Sequence, residues 1–126
     1  MRETIRPGSL AGAQVLVLED DYYLATDLQE TLEEAGATVI GPCPDSSEAL
    51  HLIDEKRPDC AFVDVNLGRG PSFDLPTRLA SLGVPFAFVT GYDSHAIPEA
   101  FAGNERLEKP VEPHRVVSVA ARLLGR

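Results

Sequence analysis

Residues 60–64 read CAFVD, four apolar residues followed abruptly by a carboxylate. A run that is apolar at both odd and even positions has no solvated face, which suits a central strand of a parallel sheet. The pattern recurs on either side of it. QVLVLEDD (14–21) is apolar until Glu19, Asp20 and Asp21; PFAFVT (85–90) stops at Thr90; and a brief strand near Arg106–Leu107 leads into Lys109–Pro110. Thr38–Val39–Ile40 reads as a further strand, ended by Gly41–Pro42.

Helical spacing fills the intervals. Leu24, Leu28, Leu32 and Ala35 follow one another at four- and three-residue steps, and Gly36 supplies a C-terminal stop. Asp45 with Glu48 three residues later is close to a capping box, ahead of Ala49, Leu52 and Ile53, and Pro58 ends the segment. Leu75, Leu79 and Leu82 predict a short helix closed by Gly83. Residues 94–106 are irregular, interrupted by Pro98 and Gly103, so a fourth helix is expected to be short or irregular. Pro113 suits a first helical position, and Val116, Val117, Ala120, Leu123 and Leu124 give the last helix its apolar stripe. Strand and helix alternate five times, which predicts an α/β, (βα)5 domain: a doubly wound five-stranded parallel sheet with helices on both faces. Residues 1–13, with Pro7, Gly8, Ser9 and Gly12, show no period and read as a flexible segment or linker ahead of a domain over 14–126.

Composition narrows the function. A chain of 126 residues and 13.6 kDa suits one domain with a core of its own, and its 44% hydrophobic and 25% charged residues are ordinary for a globular protein. Twenty acidic against 11 basic residues give a formal charge of −9 and a pI near 4.6. Such a surface repels a phosphate backbone and an anionic membrane alike, so neither direct nucleic-acid binding nor membrane association is expected. No apolar run approaches the ~20 residues that span a bilayer, and the N-terminus lacks a signal peptide's apolar stretch. Cys43 and Cys60 form no CxxC and suggest neither zinc nor a disulfide framework; buried reduced thiols in a cytoplasmic protein are the expectation.

The polar residues at the strand ends carry the chemistry. In an open parallel sheet the carboxyl ends of the strands border the ligand crevice, so Glu19, Asp20, Asp64, Thr90 and Lys109 are expected to converge there. Three carboxylates in one crevice need a cation, and hard oxygen donors without His or Cys point to Mg²⁺. Lys109 adds a point charge and Thr90 a hydroxyl donor, which together are what a transferred phosphoryl group requires. Asp64, the central carboxylate, could act as the nucleophile and become an aspartyl phosphate.

With these residues in place, the chain resembles the receiver domain of two-component response regulators, of the CheY-like superfamily. The resemblance rests on VLVLEDD (15–21), AFVDVNLGRG (61–70), FVTGYD (88–93) and LEKP (107–110), and covers roughly residues 14–124. It implies a flavodoxin-like strand order 2-1-3-4-5, Asp64 as phosphoacceptor, and Glu19 and Asp20 as the acidic pair that binds Mg²⁺ with Asp64. It also implies that the backbone carbonyl of Asn66 completes the metal site, that Thr90 contacts the phosphoryl group, and that Lys109, ahead of a commonly cis Pro110, pairs with it. PFAFVTGYD is similar to a Phe-x-Thr-Gly-Tyr subclass found as single-domain regulators and as C-terminal receivers of hybrid histidine kinases. Where the family often keeps an aromatic switch residue, three positions before the lysine, this chain has Arg106. Tyr92 either takes over part of that role or only packs on the surface.

The implied function is a phosphorylatable signalling switch in a phosphorelay. It would take a phosphoryl group from a histidine kinase or histidine phosphotransfer protein and alter its 90–109 surface for a downstream protein partner. On this reading the protein is not an enzyme beyond self-catalysed phosphorylation and dephosphorylation. Two alternatives stand beside it. One is a pseudo-receiver that binds partners unphosphorylated. The other is a haloacid dehalogenase-like aspartyl-phosphate hydrolase, which needs an acid two residues after its nucleophile where this chain has Asn66. Asp21 reads as a helix cap, Gly68–Arg69–Gly70 as a loop beside the site, and His51, His95 and His114 as uninvolved.

Overall fold

The computed structural model describes residues 8–65, 73–91 and 97–126. In chain order these form β1 (Gln14–Leu18), α1 (Tyr22–Glu34), β2 (Thr38–Cys43), α2 (Ser46–Glu55), β3 (Cys60–Asp64), α3 (Asp74–Ser81), β4 (Phe86–Thr90), a short 3-10 helix (Glu99–Phe101), β5 (Arg106–Glu108) and α4 (Pro113–Leu123). The strands make one parallel sheet in the order β2-β1-β3-β4-β5. Because side chains alternate across a strand, one apolar run feeds two cores. Val15, Val17, Phe62, Ala87 and Val89 pack with Leu28, Leu32, Val116 and Ala120 of α1 and α4. Leu16, Leu18, Ala61, Val63, Phe86 and Phe88 pack with Ala49, Ile53, Leu75 and Leu79 of α2 and α3. This two-sided burial is what the continuous apolar runs demand.

Capping follows the sequence closely. Asp21 accepts a hydrogen bond from the Leu24 amide at 3.1 Å, and Asp45 accepts one from the Glu48 amide at 2.9 Å. The expected fourth helix is represented, among the described residues, only by the 3-10 helix that follows Pro98.

Two expectations change. The second strand does not end at Gly41–Pro42 but runs through them to Cys43. Leu16 pairs with Ile40 and Leu18 with Cys43, so β2 carries one extra residue. Such a bulge is tolerated on an edge strand, where the missing proline amide breaks no ladder on the outer side. Gly41 makes it possible: its φ is 95°, and a Cβ there would lie 2.6 Å from the Cys43 nitrogen.

The linker reading of 1–13 also fails for residues 8–13. Leu10 and Ala13 are buried in the α1/α4 core. The Leu10 amide donates to the Ala35 carbonyl at 2.8 Å, and the Thr38 amide donates to the Ala13 carbonyl at 2.8 Å. The Arg126 guanidinium donates to the carbonyls of Ser9 (3.2 Å) and Ala11 (3.1 Å), tying this segment to the end of α4. Gly and Pro content misled here because a single apolar residue, Leu10, is enough to dock a short turn. Leu10→Ala should therefore cost about 2–4 kcal/mol in denaturant unfolding; a change under about 0.5 kcal/mol, the range of a neutral surface site, would return the segment to a linker.

Candidate functional site

The sheet register assembles the site. Leu18 pairs with Val63, so Glu19 and Asp64, the next residues, emerge side by side at the carboxyl end of β1 and β3. The Glu19 amide donates to the Cys43 carbonyl at 2.9 Å, which extends the β1–β2 ladder past the bulge. On the other side Asp64 pairs with Val89 and Thr90 with Glu108, and the Lys109 amide donates to the Thr90 carbonyl at 2.8 Å. Five residues scattered along the sequence are thus set by four adjacent strands. The peptide bond between Lys109 and Pro110 is cis.

Carboxylate oxygens of Glu19, Asp20 and Asp64 lie within 4.8 Å of one another. Glu19 is 2% and Asp64 0% exposed, while Asp20 faces solvent. The Lys109 ammonium donates to Asp64 Oδ2 at 3.2 Å and lies 3.4 Å from Glu19 Oε1, a contact of charge without hydrogen-bond alignment. Glu19 Oε2 accepts from the Asp21 amide at 3.0 Å. Asp21 therefore does more than cap α1, since its amide also aims the Glu19 carboxylate. No sequence pattern announces that second use. Thr90 is 1% exposed, and among the described residues its hydroxyl has no hydrogen-bond partner. Arg106 lies exposed on β5. Asn66, Gly68–Arg69–Gly70, Tyr92 and His95 lie outside the described residues. His51 and His114 pair with Glu55 and Glu112 on or beside α2 and α4.

The electrostatics are those of an anion-rich pocket. Burial, and then the Asp64 carboxyl beside it, push Glu19 from the ordinary carboxylate value of 4.5 up to about 8, against the pull of Lys109. Burial alone would lower the Lys109 ammonium, but Asp64 and Glu19 outweigh it and hold it above its usual 10.5. Cys43 and Cys60 are free thiols, and burial raises both to about 12, so they are inert packing residues.

These residues fit a hard divalent cation. Among the described residues, three ionised carboxylates face the one ammonium of Lys109, an excess of negative charge that suits a dication such as Mg²⁺, and the donors are all oxygens. Glu19 Oε1 is buried without a hydrogen bond, as a donor waiting for a metal would be. Glu19, Asp20 and Asp64 are the described residues that would hold the ion.

Folding raises the Glu19 pKa above its unfolded value, so the folded protein binds this proton more tightly. The resulting stabilisation is full below 4.5 and is lost as pH rises through about 8. Metal-free protein should be less stable at about pH 9 than at about pH 6, on the order of 1–3 kcal/mol, and Glu19→Gln should flatten the difference. Thermal unfolding in chelator measures this; a wild-type profile that climbs over the same interval refutes the protonated Glu19.

Comparison with known proteins agrees with this geometry. Residues 15–121 match the family model for the response regulator receiver domain. The chain is 34% identical over 112 residues to a response regulatory protein of Vibrio parahaemolyticus, covering 86% of this chain and 46% of that protein. It is 33% identical over 120 residues to the phyllosphere-induced regulator PhyR of Methylorubrum extorquens, covering 88% and 43%. It thus spans less than half the length of these relatives. The solved CheY-like receiver domain from Methylobacillus flagellatus matches with a TM-score of 0.74 at 25% identity, over 88% of this chain and 98% of that one. A solved receiver domain aligns over nearly its whole length, the longer proteins align only in part, and the chain accordingly belongs to the family of response regulator receiver domains.

Proposed function

We propose that this receiver domain is a phosphorylatable switch in a two-component phosphorelay, with Asp64 as the acceptor. The observation that carries the reading is the Lys109 ammonium held 3.2 Å from Asp64 Oδ2, inside a buried acidic cluster with room for a dication's charge. A histidine kinase or histidine phosphotransfer protein would present a phosphohistidine. An Asp64 carboxylate oxygen attacks the phosphorus, the phosphorus–nitrogen bond breaks, and its electron pair returns to the imidazole. Lys109 balances the charge on the transferred group, and the unpartnered Thr90 hydroxyl donates to one of its oxygens. Mg²⁺, when bound, supplies the charge neutralisation that lets an anionic phosphoryl group enter an acidic pocket. The Asn66 carbonyl is assigned to that ion by family resemblance.

The readout is a changed 90–109 surface. Drawing Thr90 toward the new phosphoryl group shifts the end of β4, and Lys109, bonded through its backbone to Thr90, follows. A coupling on the order of 1–3 kcal/mol is enough to change a partner's affinity several-fold. Among the described residues no helix is long and apolar enough to cross a membrane, and a cytoplasmic location fits the reduced thiols and the phosphodonors proposed here.

Incubation with Mg²⁺ and a small phosphodonor should give wild-type protein an acid-stable, base-labile label that Asp64→Asn lacks. Label persisting in Asp64→Asn moves the acceptor elsewhere, an unlabelled wild type points to a pseudo-receiver, and steady release of phosphate from small phosphomonoesters points to a hydrolase. Lys109→Ala should still bind Mg²⁺ but take up label roughly 10²-fold more slowly, the loss typical of one removed charge-stabilising donor. An unchanged rate would remove Lys109 from the transfer step.

A further inference from the structure

Four phenylalanines meet on the α2/α3 face of the sheet. Phe86 and Phe88 come from β4, Phe73 immediately precedes α3, and Phe101 ends the 3-10 helix. Phe73 and Phe101 stack with ring planes 17° apart and centroids 6.2 Å apart. Both meet Phe88 edge-on, at 6.4 Å and 5.8 Å, and Phe101 also meets Phe86 at 5.9 Å. Phe88 is fully buried, whereas Phe73 and Phe101 are half-buried and form the outer layer.

Their place in the fold gives the group a use. Phe73 follows Asp64 in the chain at the entry to α3, and Phe101 follows Thr90 on the way to β5. The stack therefore joins the two segments that leave the site. Alternation along β4 puts Thr90 on the same face as Phe86 and Phe88. Glu19 and Asp64, by contrast, fall in step with Val15, Val17 and Phe62 of the α1/α4 core on the other face. The segment carrying Phe101 is also tied to β4, since Asn104 donates to the Phe86 carbonyl at 3.2 Å and the Phe88 amide donates to the Glu105 carbonyl at 2.9 Å. A close-packed ring cluster re-seats between discrete arrangements and does not deform smoothly.

We propose that Phe73 and Phe101, stacked against Phe88, are positioning residues that couple Thr90 to the outer surface at residues 97–104. This rests on phosphorylation of Asp64 as proposed above. When Thr90 turns toward the phosphoryl group, Phe88, two residues earlier on the same strand face, changes its seat, and the stack carries that change to the 3-10 helix. Tightening or loosening of the stack then sets what a partner meets on this surface.

The test compares amide resonances of wild type, Phe101→Leu, Phe73→Leu and Phe101→Tyr, each titrated with beryllofluoride and Mg²⁺, with saturation of Asp64 followed by loss of phosphodonor labelling. In wild type, resonances of 97–104 should shift as Asp64 saturates. In both Leu variants Asp64 should still saturate and the Thr90 amide still move, while the 97–104 shifts are lost; Phe101→Tyr should restore them. A purely structural role would lower the melting temperature of the Leu variants and leave the shifts in place, which overturns the proposal, as does a wild-type 97–104 segment that stays still at saturation. Failure of wild type to saturate at Asp64 is a separate result: it removes the phosphoacceptor reading and the coupling with it.

Discussion

Two buried carboxylates and one exposed carboxylate gather at the end of the sheet around a single ammonium, that of Lys109. Opposite charges about 4 Å apart attract by about 4 kcal/mol where the effective dielectric is near 20, and like charges repel by a similar amount. Among the described residues one cation faces three anions, which it does not balance on those terms. The metal-free site resolves the excess by keeping a proton on Glu19 up to about pH 8. A dication resolves it without the proton. The charge state of Glu19 and the binding of a metal are therefore alternatives in the same pocket, and the rest of the fold works to keep that conflict in place.

It does so through the backbone. The side chains of the site are set by buried ladder pairs, Leu18 with Val63 and Asp64 with Val89, so the carboxylates cannot separate without disturbing the cores on both faces. The bulge at Gly41 belongs to the same arrangement. With an uninterrupted register Leu18 would face Pro42; the extra residue brings Cys43 opposite it instead, and the Cys43 carbonyl takes the Glu19 amide. A glycine whose conformation no other residue readily adopts is thus connected, through one backbone hydrogen bond, to the placement of Glu19.

The central strands and the residues at their ends were legible in the sequence for one shared reason, whereas the strand order came from the family resemblance. A strand buried on both faces must be apolar throughout, so a polar residue at its end stands out, and Glu19, Asp64 and Thr90 are those residues. What was not legible has weaker local signals. Leu10 is one apolar residue among glycines, and its burial depends on the Ala35 carbonyl and Arg126, contacts from distant parts of the chain. Pro42 reads as a strand breaker, because only an edge position next to a glycine bulge can absorb it. The aromatic stack is invisible for a similar reason: Phe73 and Phe101 sit outside the main periodic patterns, and only the folded sheet brings them together over Phe88.

The same electrostatics bear on whether the phosphoryl group is retained or turned over. Rapid hydrolysis of an aspartyl phosphate needs a positioned group to take a proton from the attacking water, or to give one to a leaving group, while the metal stays bound. Two residues beyond Asp64 the chain has Asn66, whose amide can do neither. Burial and the neighbouring Asp64 hold the Glu19 proton into the neutral range, and Glu19 is also one of the carboxylates that would have to be ionised to hold a metal. A dication held there would displace that proton and engage the carboxylate, which would then not be free to act as a base. If Asp64 takes a phosphoryl group as proposed above, such a metal-loaded site would retain it in preference to discharging it to water, which is the asymmetry a signalling switch needs to hold its state long enough to be read.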